Sequence, residues 1–250
     1  TYVYGPAAEW MDLESIMDEM RDAQTDPADA RRYFFNQVER LADSLIDVRD
    51  WRALGDAEEL APGSFITLGF DGGRFDDSTA LVACRIEDGK LFHVATWERP
   101  DNAPEGWAAP ASEVDAEVHR MMTTHDVWRL YGDPPYWQDE MAAWAQEWPE
   151  TVHEWWTNRE RAMTTAMERV LTAVRGGTMR HDGNLTLERH VGNCRRKVVR
   201  SGVLPRKEAP KSPKKIDAAV AAILAYEARA DAVAAGAKPR VKRARRHYGF

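Results

Sequence analysis

The stretch Thr79-Ala-Leu-Val-Ala-Cys-Arg-Ile86 narrows the possible folds more than any other feature of the chain. It is nearly all apolar, as a strand buried on both faces would be, so it belongs inside a covered sheet. Just before it, Phe65 to Asp71 alternates, with Ile66, Leu68 and Phe70 on one face and Thr67, Gly69 and Asp71 on the other. Glu87-Asp88-Gly89-Lys90 forms a hairpin turn into a third strand, Leu91–Trp97. The pattern then predicts a helix over roughly 112–123 and a fourth strand at Val127–Tyr131, stopped by Gly132-Asp133-Pro134-Pro135. A Trp-rich helix at about 138–147, a short strand near 151–155 and a long helix at about 158–175 follow. Residues 177–210 read as short strand-like pieces and turns, and 213–232 as a last helix with Ser212 as cap and Pro213 in its first position. Three meander strands followed by alternating helix and strand make a mixed α/β sheet.

Residues 1–60 read as a helical extension, with one helix carrying Trp10, Leu13, Met17 and Met20 and ending near Asp22, and another starting at Pro27. The expected domain lies at 61–232, followed by a basic, flexible tail over 233–250. The start at Thr1 suggests a fragment. No apolar run approaches the roughly 18–20 residues of a membrane span, and no secretory signal is visible, so no membrane partner is expected. Cys84 and Cys194 are the only cysteines, which excludes a disulfide scaffold and a four-cysteine zinc site. The net charge of −7 hides a segregation. Residues 1–174 hold 15 basic and 35 acidic residues, net −20, whereas 175–250 hold 19 and 6, net +13. A basic third on an acidic body suits a chain with one face for a polyanion and another for metals or protein partners.

Familiar catalytic signatures are missing. There is no GxxxxGK[ST], no GxGxxG and no GxSxG; His153-Glu154 begins like HExxH, but position 157 is Thr. What remains is a set of acids at informative places. Asp71 closes the first strand before Gly72-Gly73, and Asp133 closes the fourth before a double proline. Either could be a turn former. If the two strands are parallel neighbours, however, both acids sit at the carboxyl-end crevice where open α/β sheets place ligands. Asp217 stands in line with Val220, Ala221 and Leu224, on or beside an apolar stripe, where a carboxylate needs a cation or a metal. Lys214 or Lys215 could supply that cation. Three such carboxylates suit two divalent ions about 3.5–4 Å apart, Mg²⁺ or Mn²⁺ by their preference for oxygen, acting on a phosphodiester.

The segments GFDGGRFDDSTALVACR (69–85), YGDPPYWQ (131–138), HDGNLTLERHVGNCRRKVVRSG (181–202) and KIDAAVAAILAYEAR (215–229) resemble the nuclease domain of tailed-bacteriophage terminase large subunits. RRYFFNQ (31–37) is similar to the stretch that links this family's packaging ATPase to its nuclease. The resemblance implies a ribonuclease H-like mixed sheet flanked by helices. It also implies a metal-dependent endonuclease that cuts concatemeric double-stranded viral DNA in the host cytoplasm, with portal and small terminase subunit as partners of the full-length protein. Asp71, Asp133 and Asp217 match the family's catalytic acids, and Asp77 the further acid that related nucleases carry shortly after the first. The ATPase half has no counterpart here, so the expected activity is cutting without pumping.

Arg195, Arg196, Lys197 and Arg200, with Lys214 and Lys215, are the candidate contacts to DNA phosphates. The tryptophans at 137, 144, 148, 155 and 156 read as core, and His181 and His190 as surface or capping residues. Two other functions fit the same residues: a branched-DNA resolvase or transposase-type cutter of the same fold, and a non-catalytic DNA-binding or docking module in which the acids merely cap turns.

Overall fold

A computed structural model describes Met17 and residues 43–75, 77–209 and 212–240. The two expected N-terminal helices and the last ten residues of the basic tail lie outside the described residues. Among the described residues there are seven strands: β1 (Phe65–Gly72), β2 (Ser78–Arg85), β3 (Leu91–Glu98), β4 (Asp126–Gly132), β5 (Val152–Glu154), β6 (Arg195–Val199) and β7 (Gly202–Arg206). Six helices accompany them: α1 (Val48–Ala53), α2 (Ala111–Thr124), α3 (Gln138–Glu147), α4 (Glu160–Arg175), α5 (Leu185–Asn193) and α6 (Asp217–Ala234). The main sheet runs β3-β2-β1-β4-β5, and β6 with β7 forms a separate hairpin. Strands β1 to β3 are antiparallel neighbours, while β4 lies parallel to β1 and β5 parallel to β4. The fold is therefore the ribonuclease H-like mixed sheet flanked by helices that the resemblance implies.

Strand alternation sorts side chains into two layers. Ile66, Leu68 and Phe70 of β1, with Leu81 and Ala83 of β2, pack against Val114, Val118 and Met121 of α2 and Met141 and Trp144 of α3. Ala80, Val82 and Cys84 point the other way, into a core built with α4, α5 and α6. The sheet is thus covered on both faces, as the apolar run in β2 requires. Helix α6 is buried nearly all round and rich in alanine, which lets its backbone press against β1. Gly69 marks the closest approach: a Cβ there would stand 1.9 Å from the Ala221 carbonyl oxygen. On the same face the Thr67 hydroxyl donates to the Ala225 carbonyl at 2.7 Å.

Residues just before β1 belong to the same body. Leu45, Ile46 and Trp51 are buried in the α4–α6 core, and Trp51 stacks on His181 with ring centroids 4.3 Å apart. Two expectations need correction. Residues 177–210 contain a nine-residue helix, α5, whose N-cap Asn184 accepts from Thr186 and Leu187 N–H. Its spacing of Leu187, His190 and Val191 is helical, but so short a helix owes its stability to packing. The last helix starts at Asp217 with Ile216 as N-cap, and Ser212 instead accepts from Lys214 N–H in the loop before it. Four of the five tryptophans behave as core: Trp137 and Trp144 are buried, both edge-on to Phe70, Trp148 packs beside them and Trp155 packs on the opposite layer. Trp156 is instead half-buried, with its Nε1 on Glu154.

Candidate active site

The parallel pairing of β1 with β4 brings two of the predicted acids to one end of the sheet. Asp71 is the penultimate residue of β1, and the Asp133 N–H donates to the Phe70 carbonyl at 3.0 Å, splicing the end of β4 onto β1. Gly72 permits the turn beyond Asp71, since a Cβ there would meet Thr79 Cα at 2.4 Å. Helix α6 then delivers Asp217 as its first residue, where the helix dipole favours a carboxylate. Ser78, at the start of β2, donates its hydroxyl to Asp217 Oδ2. Asp71 and Asp217 line one cleft of about 230 Å³ together with Thr157, Met163, Leu204, Pro205, Lys207, Ile216 and Val220. A larger groove of about 790 Å³ alongside α4 and α6 is lined by none of the four predicted acids.

Each acid has its own support. Thr157, the residue that breaks the HExxH pattern, gives Asp133 a hydroxyl hydrogen bond at 2.5 Å and a backbone N–H at 3.2 Å. Asp77 lies in the β1–β2 connection. Both of its carboxylate oxygens sit 2.7 Å from Lys207 Nζ, and Oδ1 is also 2.7 Å from Lys215 Nζ. Lys207 Nζ is in turn 3.9 Å from Asp217 Oδ2.

Electrostatics set Asp71 apart. It is only 8% exposed, and burial raises its pKa well above the carboxylate range; the charges of Asp217, Asp133 and Asp77 push the same way, against Lys207. Burial likewise raises Asp217, opposed by Lys207 and by the Ser78 hydrogen bond, and raises Asp133, opposed by Thr157. Burial also works against ionisation of Asp77, but Lys207 and Lys215 together outweigh it and hold its pKa low. Hard oxygen donors of this kind, more acids than the two lysines beside them, are the type of ligand that Mg²⁺ or Mn²⁺ takes. Among the described residues, no three His, Cys, Asp or Glu side chains stand close enough together to hold a metal ion as they are. Lys207 contacts Asp77 and lies 3.9 Å from Asp217.

The basic candidates divide. Arg196 and Lys197 are exposed on β6, paired in register with Pro205 and Leu204 of the cleft wall, and Arg200 is exposed in the turn that follows. Arg195 instead donates to the Gly192 and Cys194 carbonyls at the end of α5. Lys214 pairs with Glu208, and Lys215 with Asp77. Lys207, Thr157 and Ser78 were not legible as site residues, because their partners lie far away in sequence.

His181 and His190 are not surface residues, since both are fully buried. His190 Nδ1 accepts from the Ala218 N–H at 2.9 Å, capping α6 one residue after Asp217, while Nε2 meets Glu98 at 2.7 Å. The His190 hydrogen bond, followed by that of Arg189, holds the Glu98 pKa at about 2. Replacing His190 by Ala would orphan the Ala218 N–H and leave Glu98 short of its partner. We expect His190→Ala to cost about 2–3 kcal/mol in urea unfolding.

A mixed sheet flanked by helices is a fold that this chain shares with solved large-terminase structures. The large terminase of bacteriophage HK97 superposes with a TM-score of 0.59 at 18% identity, covering 89% of this chain and 52% of that one. The large terminase nuclease of thermophilic phage G20c, solved also with bound magnesium and with bound cobalt, gives 0.51 at 15% identity over 74% of this chain and 97% of that one. In sequence, the chain is 33% identical over 245 residues to the gene 13 protein of Mycobacterium phage D29, covering 89% of this chain. It spans about two fifths of that protein's length, 41%. No family model matches the chain.

Proposed function

We propose that this chain is the nuclease part of a phage terminase large subunit and hydrolyses double-stranded DNA with the help of divalent cations. What supports this reading is that Asp71, at the end of β1, and Asp217, at the start of α6, line one cleft, with Asp133 at the end of the parallel neighbour β4, on a fold shared with terminase nucleases. Asp71, Asp133 and Asp217 would hold two Mg²⁺ or Mn²⁺ ions, with Asp77 at the rim. Such ions supply activation of the attacking water and neutralisation of charge on the leaving oxygen. The chain's own residues do the placing: Thr157 orients Asp133, Ser78 orients Asp217, and Asp71 stands where both neighbouring carboxylates act on it. The magnesium- and cobalt-bound forms of the G20c nuclease support the metal reading.

We assign the nuclease domain to 61–232, with 1–60 as a linker whose last residues pack on it and 233–250 as a basic tail. In the longer protein, concatemeric DNA in the host cytoplasm would be the substrate, and portal and small terminase subunit the partners. Among the described residues, no helix is long and apolar enough to cross a membrane.

The test is cleavage of linear duplex DNA by the purified chain with Mg²⁺ or Mn²⁺ and with EDTA. Metal-dependent cutting of the linear duplex supports the reading. Preference for a four-way junction would favour a resolvase, and binding without cutting would favour a docking module. Arg196 and Lys197 give a separate check. Each phosphate contact releases condensed counterions, so Arg196→Ala with Lys197→Ala should weaken binding to duplexes of any sequence and flatten its salt dependence by about one to two in slope. A fluorescence-anisotropy titration at several salt concentrations reads this directly.

A further inference from the structure

Lys207 reaches two of the candidate acids from the wall of the cleft. Its ammonium is 2.7 Å from both oxygens of Asp77 and 3.9 Å from Asp217 Oδ2, and it lines the same cleft as Asp71. The side chain is mostly shielded from solvent, at 19% exposure, so the contact is not a loose surface pair. We propose that Lys207 is a built-in counter-cation that must yield before metal loads, so that the arm carrying it sets the metal affinity of the site. This rests on the nuclease reading above.

The charge arrangement supports competition. Asp77 has both oxygens engaged by one ammonium, which leaves it unable to turn freely to a metal. Lys207 is also the cation that opposes the neighbouring acids at Asp71 and Asp217. A divalent ion must displace Lys207 or bind against its repulsion, and either route weakens metal binding. Lys207 directly follows β7, which pairs with β6 alone among the described strands, and the hairpin tip is tied to α4 by Ser201 donating to Glu160 at 2.7 Å. A two-stranded hairpin has little stability of its own, so the packing of Val203 and Leu204 on the core fixes where it holds Lys207. A supporting role for Lys207, in which it holds Asp77 ready for metal, requires the opposite sign: removing it would weaken metal binding.

The two signs are separated by titrating Mn²⁺ alone, without DNA, into the parent chain, Lys207→Met and Lys207→Arg, with isothermal calorimetry as the readout. Met keeps the stem and removes the charge. The expected result is Mn²⁺ binding about tenfold tighter in Lys207→Met and near-parental binding in Lys207→Arg. Equal or weaker binding in Lys207→Met, beside a parent that does bind Mn²⁺, overturns the counter-cation role and leaves the nuclease reading standing. Absence of Mn²⁺ binding in parent and variants alike overturns both. Should Lys207→Met fail to fold, Lys207→Gln carries the same comparison with the same two outcomes.

Discussion

Asp71→Asn should abolish Mg²⁺- or Mn²⁺-dependent cleavage, by about a thousandfold or more, while leaving the fold and duplex binding intact. The substitution keeps the shape of a residue that is buried at the end of β1 and removes the charge on which the other acids act. Duplex binding should persist because Arg196, Lys197 and Arg200 stand on a separate hairpin. Stability should move the other way. Asp71 and Asp217 have folded pKa values above their ordinary value of 3.8, so the folded state holds their protons more tightly than the unfolded chain does. These two groups therefore lower the stability of the metal-free protein as pH rises from about 4 through their raised pKa values. Glu98 has the opposite sign. Its pKa of about 2 adds stability above its unfolded value, and that stability is lost as pH falls towards 2. Without metal, Asp71→Asn should melt about 2–4 °C above the parent at neutral pH, and the difference should shrink towards pH 4. Thermal melts across pH 4–8, with and without Mn²⁺, check both parts. Parental cleavage rates in Asp71→Asn would remove Asp71 from the site.

The acids were legible because the chain punctuates them. A strand that runs into Gly-Gly or Pro-Pro must stop, so an Asp at that point is placed at a strand end before any tertiary structure is known. The alternation in β1 and the apolar run of β2 fixed which side chains face which layer. Other features had no local signal. Lys207 is far from Asp77 along the chain, and only the return of the hairpin to the cleft joins them. The basic cluster at 195–200 looked uniform as a charge run, yet Arg195 caps a helix while its neighbours face solvent. That difference depends on where α5 ends, and α5 was itself too short to stand out. His190 read as a surface or capping residue; it is a cap, but a buried one that serves a helix from another part of the chain.

Gly69→Ala should be the most damaging small substitution in the domain. A single methyl group would be placed 1.9 Å from the Ala221 carbonyl oxygen and 2.5 Å from the Ala225 nitrogen. Both are backbone atoms of a buried helix, so no side chain can swing aside. Either α6 lifts from β1 or β1 leaves its register with β2 and β4. Lifting α6 breaks the hydrogen bond from Thr67 to Ala225, opens the core between sheet and helix, and carries Asp217 away from Asp71. Overpacking of a core typically costs about 1–3 kcal/mol, and contact with rigid backbone on both sides puts this site at or above the upper end. Thr67→Val, which removes only the hydrogen bond from the same face, gives the scale, at about 1 kcal/mol. We expect Gly69→Ala to lose about 3 kcal/mol or more in urea unfolding and to lose cleavage with it, although no acid has been touched. A near-parental unfolding midpoint would show that α6 does not rest on β1 as closely as the structure has it. The placement of Asp217 beside Asp71 would then lose its structural basis.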